Sequence, residues 1–338
     1  MTDRRARVAV ALPAKNEADD LPACLDALDA AAARYGVGVT IVVVANNCVD
    51  GTAEVLARTM LRHATLMSCA VSLLPPFAHA GWARRIAFDA AAAKLVEGAD
   101  ILMSTDADTC VAPDWIVRAV AHLDAGADAV AGRALTRRGD RRMLGAEPMR
   151  RLNLLGRYYT ALDWLRANAE PAAQDPWPRH YYEGGASIGL RLATYRAIGG
   201  APTPALAEDR ALFAAVRARG GIVRHPLDVR VFTSSRIDGR APGGMADAFA
   251  RWITQAPDER LHETYAFPAA LDPDRACVGD QLSFDTLPAA IAQAGAMIRA
   301  RRSGAAPAIE PVLLAPLGER HRDGVTEQGS QPLDRIVA

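Results

Sequence analysis

Residues 8–17 read Val-Ala-Val-Ala-Leu-Pro-Ala-Lys-Asn-Glu, a short apolar run that ends at a proline and passes at once into polar residues. An uninterrupted apolar run of this length is typical of a strand buried on both faces of a parallel sheet. The apolar residues of the next stretch, 21–34, have helical spacing. The chain therefore opens with a strand, a polar loop and a helix.

The same order recurs along the first 130 residues. Apolar runs predict strands at 39–44, 66–74 and 100–104, and helical patterns follow them from about residues 53, 81 and 113. A further strand is predicted at 127–133. Strands that alternate with helices predict an α/β fold with a mostly parallel, Rossmann-like sheet flanked by helices.

Polar residues directly follow three of these strands. They are Asn16 with Glu17, the stretch 46–50 and the stretch 106–108. In open α/β sheets, ligands bind beyond the carboxyl ends of the strands. We therefore expect these three loops to form one site, although they are far apart in the sequence.

The composition is that of a globular protein with a sizeable core, with 338 residues of which 50% are hydrophobic and 23% charged. Basic and acidic residues number 39 each, so net charge does not favour nucleic acid as a partner. The five cysteines are widely spaced without a C-x-x-C pair, which predicts reduced thiols. No apolar run reaches the ~18 residues of a membrane span, so we expect a cytoplasmic protein with, at most, peripheral membrane association.

Two acidic pairs carry the chemistry. Asp106 and Asp108, at a strand end, can place oxygens on one hard divalent cation such as Mg²⁺ or Mn²⁺. A capped turn before the helix at Pro113 is the alternative. Glu208 and Asp209 begin a predicted helix, where acidic residues suit the helix dipole. A carboxylate there can instead act as a general base that takes the proton of an attacking hydroxyl.

Five stretches resemble, in order, the motifs of family 2 glycosyltransferases, which have the GT-A fold. They are residues 10–17 (Val-Ala-Leu-Pro-Ala-Lys-Asn-Glu), 46–52 (Asn-Asn-Cys-Val-Asp-Gly-Thr), Gly81 with 83–85 (Ala-Arg-Arg), 105–108 (Thr-Asp-Ala-Asp), and 185–200 with 207–209 (Ala-Glu-Asp). The resemblance covers about residues 8–235. It implies an inverting transferase that uses a nucleotide-sugar donor and a divalent metal.

The resemblance also assigns roles to single positions. The donor would be bound by Pro13, Asn16, Glu17, Asn46, Asp50, Arg84 and Asp106. Asp106 and Asp108 would bind the metal, and the later His225 can supply a third ligand, with a core or surface histidine as the alternative. Asp209 would be the catalytic base, and Glu208 would help to shape the acceptor site.

Two positions depart from the family pattern. Ala45 and Asn46 stand where the family usually has acidic residues that contact the base, so uridine is not implied. Arg84 and Arg85 stand where the family usually has Arg-Asn. An extra guanidinium beside a diphosphate is useful, and a solvated helix face accounts for one of the two.

Arginines outside these motifs add further candidates. Arg236, or Arg240 in the same glycine-marked loop, can meet a phosphate of the donor, and an ordinary exposed loop is the alternative. The arginine-rich stretch 137–151 can meet an anionic acceptor, but a solvated helix face is the simpler interpretation. The aromatic residues at 181–182 can line an acceptor pocket or pack in a core.

We expect a GT-A catalytic domain over residues 1–240, with a nucleotide-sugar half at about 1–135 and an acceptor half at about 136–240 that begins with a helical insertion. A helical C-terminal extension is predicted over 241–302. Residues 303–338 are rich in proline, glycine and charge, which predicts a flexible tail.

The expected partners are a nucleotide-sugar donor and a sugar, lipid-linked or small-molecule acceptor, with a homodimer left open. A nucleotidyltransferase on a similar fold is an alternative, but it usually has a glycine-rich phosphate loop where residues 13–17 contain no glycine. The same stretch argues against a dinucleotide-dependent dehydrogenase. A non-catalytic nucleotide-sugar-binding relative would lack an acidic motif, and both motifs are present here.

Overall fold

The computed structural model describes residues 6–304, except 37, 97, 99, 237, 238, 240–243, 272–275 and the side chains of 141–143. Among these residues the strands are β1 (Val8–Ala14), β2 (Val39–Asn46), β3 (Thr65–Val71), β4 (Ile101–Ser104), β5 (Thr109–Val111), β6 (Ala129–Ala131), β7 (Arg133–Thr136), β8 (Ile188–Arg191), β9 (Val223–Arg224) and β10 (Arg230–Thr233). The helices are α1 (Leu21–Tyr35), α2 (Thr52–Arg58), α3 (Ala80–Ala92), α4 (Trp115–Asp124), α5 (Arg138–Met143), α6 (Ala146–Ala169), α7 (Leu192–Ala197), α8 (Glu208–Ala218), α9 (Met245–Thr254) and α10 (Leu287–Arg302).

Seven of the described strands form one sheet in the order β3-β2-β1-β4-β8-β6-β9. β1 pairs in parallel with β2 and β4, as β2 does with β3 and β6 with β9. β8 runs antiparallel to both of its neighbours. The predicted mostly parallel α/β fold is therefore confirmed. The sequence does not predict β8, because its four residues are too few to establish a period.

The side chains of β1 alternate between two apolar cores. Val8, Val10 and Leu12 share a core with α1 and α4, whereas Ala9 and Ala11 share the other with α3. All five are fully buried. Burial on both faces explains why the strand reads as an apolar run rather than as an alternating pattern.

The strand predicted at 127–133 is two strands in two sheets. β6 belongs to the main sheet, and β7 pairs with β10 in a small sheet of order β5-β10-β7. Between them, a Cβ at Gly132 would lie 2.0 Å from Ser187 Oγ. Ser187 Oγ also accepts a hydrogen bond from Trp115 Nε1 (2.8 Å). Glycine at 132 therefore lets the chain pass close to the segment that leads into β8.

Two helical glycines have opposite surroundings. A Cβ at Gly81, in the first turn of α3, would lie 2.2 Å from the carbonyl oxygen of Pro204, whereas a Cβ at Gly156 in α6 would meet nothing within 4 Å. We expect Gly81→Ala to lower the free energy of unfolding by roughly 1–3 kcal/mol through overpacking. Gly156→Ala should raise it by about 0.5–1 kcal/mol through helix propensity. Urea unfolding measures both shifts, and a stabilising Gly81→Ala would contradict the contact with Pro204.

Packing divides the described residues into two units. The first comprises residues 6–137 and 182–234, and the second comprises 138–181 and 235–304. The second unit has its own core, to which α6 and α10 contribute Leu155, Tyr158, Leu162, Leu287 and Ala290. The insertion therefore packs with the C-terminal helices, and the domain bounds at 240 and 302 remain predictions. Of the predicted tail, only Ser303 and Gly304 are described.

Helix α6 carries part of the arginine-rich stretch. Arg151 is buried, and its Nη1 donates to the carbonyl oxygens of Trp252, Ile253 and Gln255 near the end of α9. Its Nε donates to Glu147 Oε1 (2.9 Å). Arg151 is therefore a structural residue of the second unit. Although α6 has 24 residues, neither it nor another described helix combines the length and apolarity needed to cross a membrane.

Candidate active site

Hydrogen bonds join the loops that follow β1 and β2. The N–H of Glu17 donates to Thr52 Oγ1 (2.9 Å), and the Thr52 hydroxyl donates to Asp50 Oδ1 (2.6 Å). Asp50 Oδ2 accepts the N–H of Ala18 (3.0 Å). Burial raises the pKa of Asp50, but the hydrogen bonds from Thr52 and Ala18 outweigh it and hold the pKa below its usual range. The ionised Asp50 thus links the two loops, and Glu17 is buried beside it.

The other predicted residues of these loops lie close by in the fold. Asn16 has a left-handed backbone (φ 54°), which asparagine tolerates, and its Oδ1 accepts the N–H of Val49 (2.8 Å). Pro13 lies in β1, and Asn46 ends β2. The predicted residues of the first two motifs therefore lie together at the carboxyl ends of two adjacent parallel strands.

Asp106 and Asp108 follow β4, the other neighbour of β1, and so lie at the same edge of the sheet. The Asp106 side chain is 35% exposed, and its Oδ1 accepts a hydrogen bond from Arg84 Nη2 (2.7 Å). Asp108 Oδ1 accepts from the hydroxyls of Thr109 (3.2 Å) and Thr233 (3.4 Å). Hydrogen bonds from the protein therefore orient both carboxylates.

An arginine of the 137–151 stretch bonds to the backbone of Asp108. Arg137 Nη2 donates to the carbonyl oxygen of Asp108 (2.5 Å), and Arg137 Nη1 donates to Asp20 Oδ1 (2.6 Å). Sequence analysis missed this role, because nothing in an arginine-rich run indicates which member turns toward a loop 29 residues earlier.

Arg84 connects the two acidic motifs. Its side chain is only 7% exposed. Its Nε donates to Glu208 Oε1 (3.1 Å), Nη1 donates to Ser104 Oγ (3.1 Å) and to the carbonyl oxygen of Gly185 (3.2 Å), and Nη2 donates to Asp106. Burial lowers the pKa of Arg84, but the charges of Asp106 and Glu208 outweigh it and raise the pKa. The guanidinium therefore stays charged between two carboxylates.

Asp209 lies in the first turn of α8, where two backbone amides orient it. Its Oδ2 accepts the N–H of Gly185 (2.7 Å) and its Oδ1 that of Arg210 (2.7 Å). Burial and the charge of Glu208 raise the pKa of Asp209, and they outweigh Arg84 and the two amides, which lower it. A carboxylate with a raised pKa accepts a proton more readily, as a general base must.

Two adjacent glycines leave space for two large side chains. A Cβ at Gly184 would lie 2.3 Å from Tyr182 Oη, and a Cβ at Gly185 would lie 2.1 Å from Arg84 Nη2. The sequence signal for this arrangement is the glycine pair itself.

His79, which precedes α3, is a buried residue that sequence analysis did not single out. Its Nδ1 is buried without a hydrogen-bond partner among the described residues, and burial lowers its pKa against the nearby charge of Glu208.

His225 lies with a different set of residues. Its Nε2 is 3.0 Å from Glu183 Oε1, and Glu183 also accepts hydrogen bonds from Arg217 (2.5 and 3.0 Å). Within the part of the chain that the structure describes, no group of three His, Cys, Asp or Glu residues is arranged to hold a metal ion. His225 is therefore not grouped with Asp106 and Asp108.

Two further arginines were predicted to meet a phosphate. Arg236 is half-buried and belongs to the second unit, whereas the residues of the cluster around Arg84 all belong to the first. Arg240 lies outside the described residues.

The carboxylate oxygens of Asp106 and Asp108 are suitable ligands for a hard divalent cation. Both side chains offer carboxylate oxygens at one loop that follows a buried strand. Mg²⁺ is usually held by one or two carboxylates, with substrate phosphates and water as the remaining ligands, and Mn²⁺ prefers the same oxygen ligands. Such a site does not require a third protein ligand.

A family model described as Glycosyl transferase family 2 matches residues 9–191, which is more than half of the chain. Among curated protein sequences, none matches.

Several solved structures are similar to this chain at low identity. S. aureus TarS 1-349 in complex with UDP is 15% identical over 73% of this chain and 64% of that chain, with a TM-score of 0.45. The mannosyltransferase PcManGT from Pyrobaculum calidifontis, in complex with GDP-Man and Mn²⁺, is 19% identical over 90% and 78%, with a TM-score of 0.46. Glucosyl-3-phosphoglycerate synthase from Mycobacterium tuberculosis, in complex with Mn²⁺, UDP-Glc and phosphoglyceric acid, is 16% identical over 73% and 78%, with a TM-score of 0.42. This chain spans less than two thirds of two TarS chains, 64% of one and 36% of another, and 70% of a third.

Proposed function

This chain belongs to glycosyl transferase family 2, and from that premise we propose that it moves a sugar from a nucleoside-diphosphate donor to a hydroxyl acceptor, with inversion at the sugar carbon. One observation supports this proposal above the others. Arg84 and Gly185 join Asp106, at the predicted donor loop, to Glu208 and Asp209 at the start of α8. A donor-binding group and a candidate base are thereby held in one cluster of the first unit.

The donor side of the proposed site is the edge formed by the loops after β1, β2 and β4. Glu17 and Asn16 would line the nucleotide pocket, with Asp50 holding the two loops together. Asp106 and Asp108 would hold Mg²⁺ or Mn²⁺, and the bound metal would neutralise charge on the diphosphate leaving group.

On the acceptor side, Asp209 would be the base. The acceptor hydroxyl oxygen attacks the sugar carbon, the bond from that carbon to the diphosphate oxygen breaks, and the hydroxyl proton passes to Asp209. The amides of Gly185 and Arg210 hold the carboxylate in place. Inversion follows if Asp209 and the leaving group lie on opposite faces of the sugar. Glu208, held by Arg84, would shape the acceptor pocket.

The proposal is tested first by thermal stabilisation with UDP, GDP, CDP and dTDP, each with Mn²⁺ and with EDTA. A ligand that binds only the native state stabilises it by RT ln(1 + [L]/Kd), about 2.7 kcal/mol at a hundredfold excess over Kd. We expect one nucleotide to stabilise the protein only with the metal, and Asp108→Ala to remove that effect.

The same samples are then given the matching nucleotide sugars, and release of the nucleoside diphosphate is followed with and without candidate acceptors. Release supports a transferase. Stabilisation by no nucleotide under any condition would contradict the proposal. Metal-dependent binding without release would instead indicate a non-catalytic relative, and release of pyrophosphate from a nucleoside triphosphate and a sugar phosphate would indicate a nucleotidyltransferase.

A further inference from the structure

Protein atoms engage most of the guanidinium of Arg84. Four hydrogen bonds go to Glu208, Ser104, Gly185 and Asp106, and the side chain is only 7% exposed. Of its five N–H donors, these bonds occupy four. An arginine that binds a phosphate normally directs a pair of N–H groups at the substrate. Arg84 directs its N–H groups at two carboxylates of its own chain instead.

Gly185 packs directly against this guanidinium. A Cβ there would lie 2.1 Å from Arg84 Nη2 and 2.6 Å from Cζ. The φ angle of Gly185 lies outside the left-handed region, so glycine is required for space and not for backbone conformation. The carbonyl oxygen of Gly185 accepts from Arg84, and its N–H donates to Asp209. A single residue thus touches both the arginine and the candidate base.

We infer that Arg84 is a positioning residue. It packs against Gly185 and holds Asp106 on the donor side and Asp209 on the acceptor side at a fixed spacing. The inference rests on the proposed function. Arg84 acts on Asp106 directly, and it acts on Asp209 through Gly185 and through Glu208, the neighbour of Asp209 in α8. It is not a ligand of the donor phosphates.

Charge supports the same assignment. Without Arg84, the carboxylates of Asp106, Glu208 and Asp209 would share one region and lose the buried cation that, among the described residues, lies between them. Buried charges that lose their partner are strongly destabilised. Two other groups lie near Asp209. Tyr182 interacts with it electrostatically, and Arg210 is the next residue of α8. A lost arginine would therefore displace the acidic groups and disturb their spacing.

The test compares Arg84→Met, Gly185→Ala and the double variant with wild-type protein, using the nucleotide sugar that the wild type turns over best, with water as acceptor if no other is known. Because misplacement by ~1 Å can cost about 100-fold in rate, we expect Arg84→Met to lower kcat by about that factor and to raise the donor KM by a smaller factor, since Asp106 loses its arginine but keeps its carboxylate. Arg84→Lys should restore little, since a lysine cannot reproduce the fork of donors.

Gly185→Ala keeps the arginine but displaces it, so kcat should fall toward that of Arg84→Met. If the alanine acts only by displacing Arg84, the double variant should be no slower than Arg84→Met within about twofold, as expected for two changes that remove one interaction. Arg85→Met is the matched control, because Arg85 is the next residue of α3 and bonds to Asp89 and to the carbonyl oxygen of Ala201. Its kcat should stay within about threefold of wild type.

A loss that appears wholly in the donor KM would identify Arg84 as a donor ligand and overturn the inference, as would an unchanged kcat. If Arg84→Met does not fold, Gly185→Ala carries the kinetic test alone. Should the wild type bind no nucleotide and turn over no nucleotide sugar, the proposed function fails and the positioning role fails with it. A double-mutant cycle on the free energy of urea unfolding then still tests whether Gly185 positions Arg84. Additive losses of stability at positions 84 and 185 would refute that contact.

Discussion

Asp209→Asn should lower sugar transfer by about 10²–10⁴-fold, the range expected when a general base is removed. The amide has nearly the shape of the carboxylate, but it cannot accept the proton of the attacking hydroxyl. Metal-dependent nucleotide affinity should stay unchanged, because the hydrogen bonds that hold Asp209 come from the backbone amides of Gly185 and Arg210 and do not involve Asp106 or Asp108. Single-turnover kinetics and nucleotide titration separate the two effects.

A pH series on the same variant distinguishes lost chemistry from lost folding. The pKa of Asp209 is raised in the folded protein, chiefly by burial, so its ionisation costs stability as pH rises from the ordinary value of about 4. Asparagine does not titrate. The stability of Asp209→Asn relative to wild type should therefore increase with pH from about 4 toward neutrality.

Asp128→Asn is the matched control for this prediction. Asp128 also accepts a backbone N–H, that of Ile222 (2.8 Å), and lies in the same unit. It should lose some stability and keep its turnover. An Asp209→Asn variant that retains more than about a tenth of wild-type turnover would exclude Asp209 as the base.

Asp106→Asn should weaken metal-dependent nucleotide binding by roughly 100-fold or more, since the lost carboxylate bonds a buried arginine and is proposed to hold the metal. The neutral amide contributes no charge to a divalent cation, and it pairs less strongly with Arg84. Calorimetric titration of the best nucleotide with Mn²⁺ and with EDTA measures the effect. In the wild type, EDTA should cause a comparable loss, whereas in the variant it should change little.

Asp114→Asn provides the comparison for this second prediction. Asp114 lies a few residues beyond Asp108 at the start of α4, where it forms a half-exposed ion pair with Arg118 (3.2 Å). Removing that surface pair should cost at most about 1 kcal/mol of stability and leave nucleotide affinity unchanged. If both variants weaken binding equally, the effect is one of general charge and the metal assignment at Asp106 is wrong.

The part of the fold that sequence analysis predicts correctly is the part made of long, doubly buried strands. β1 and β2 are seven and eight residues long and almost wholly buried, so their composition is apolar enough to be recognised. Since such strands are parallel neighbours, the polar residues that follow them are expected at one edge, which is where Asn16, Asp50 and Asp106 lie. The family also followed from these motifs and is confirmed by the family match.

The connections within the candidate site were not predictable in the same way. Arg84 is a residue of an amphipathic helix, and its partners lie 20, 101 and 124 residues later in the chain. A helical period shows which residues share a face, but it does not show that one face meets a glycine and two carboxylates. The short strands β8 and β9 have four and two residues, so they exist because of their neighbours and not because of their own pattern.

The antiparallel strand β8 also has a consequence for the order in which the protein is made. In the described sheet, β6 is bonded only to β8 and β9, and β8 is the strand that joins it to β4. While the ribosome is still adding the residues before β8, β4 therefore has an open edge, and open edges promote association with other chains. We therefore expect the nascent chain to be vulnerable to aggregation in that interval. It ends when β8 arrives, just after the same segment has brought Gly184 and Gly185 out of the ribosome.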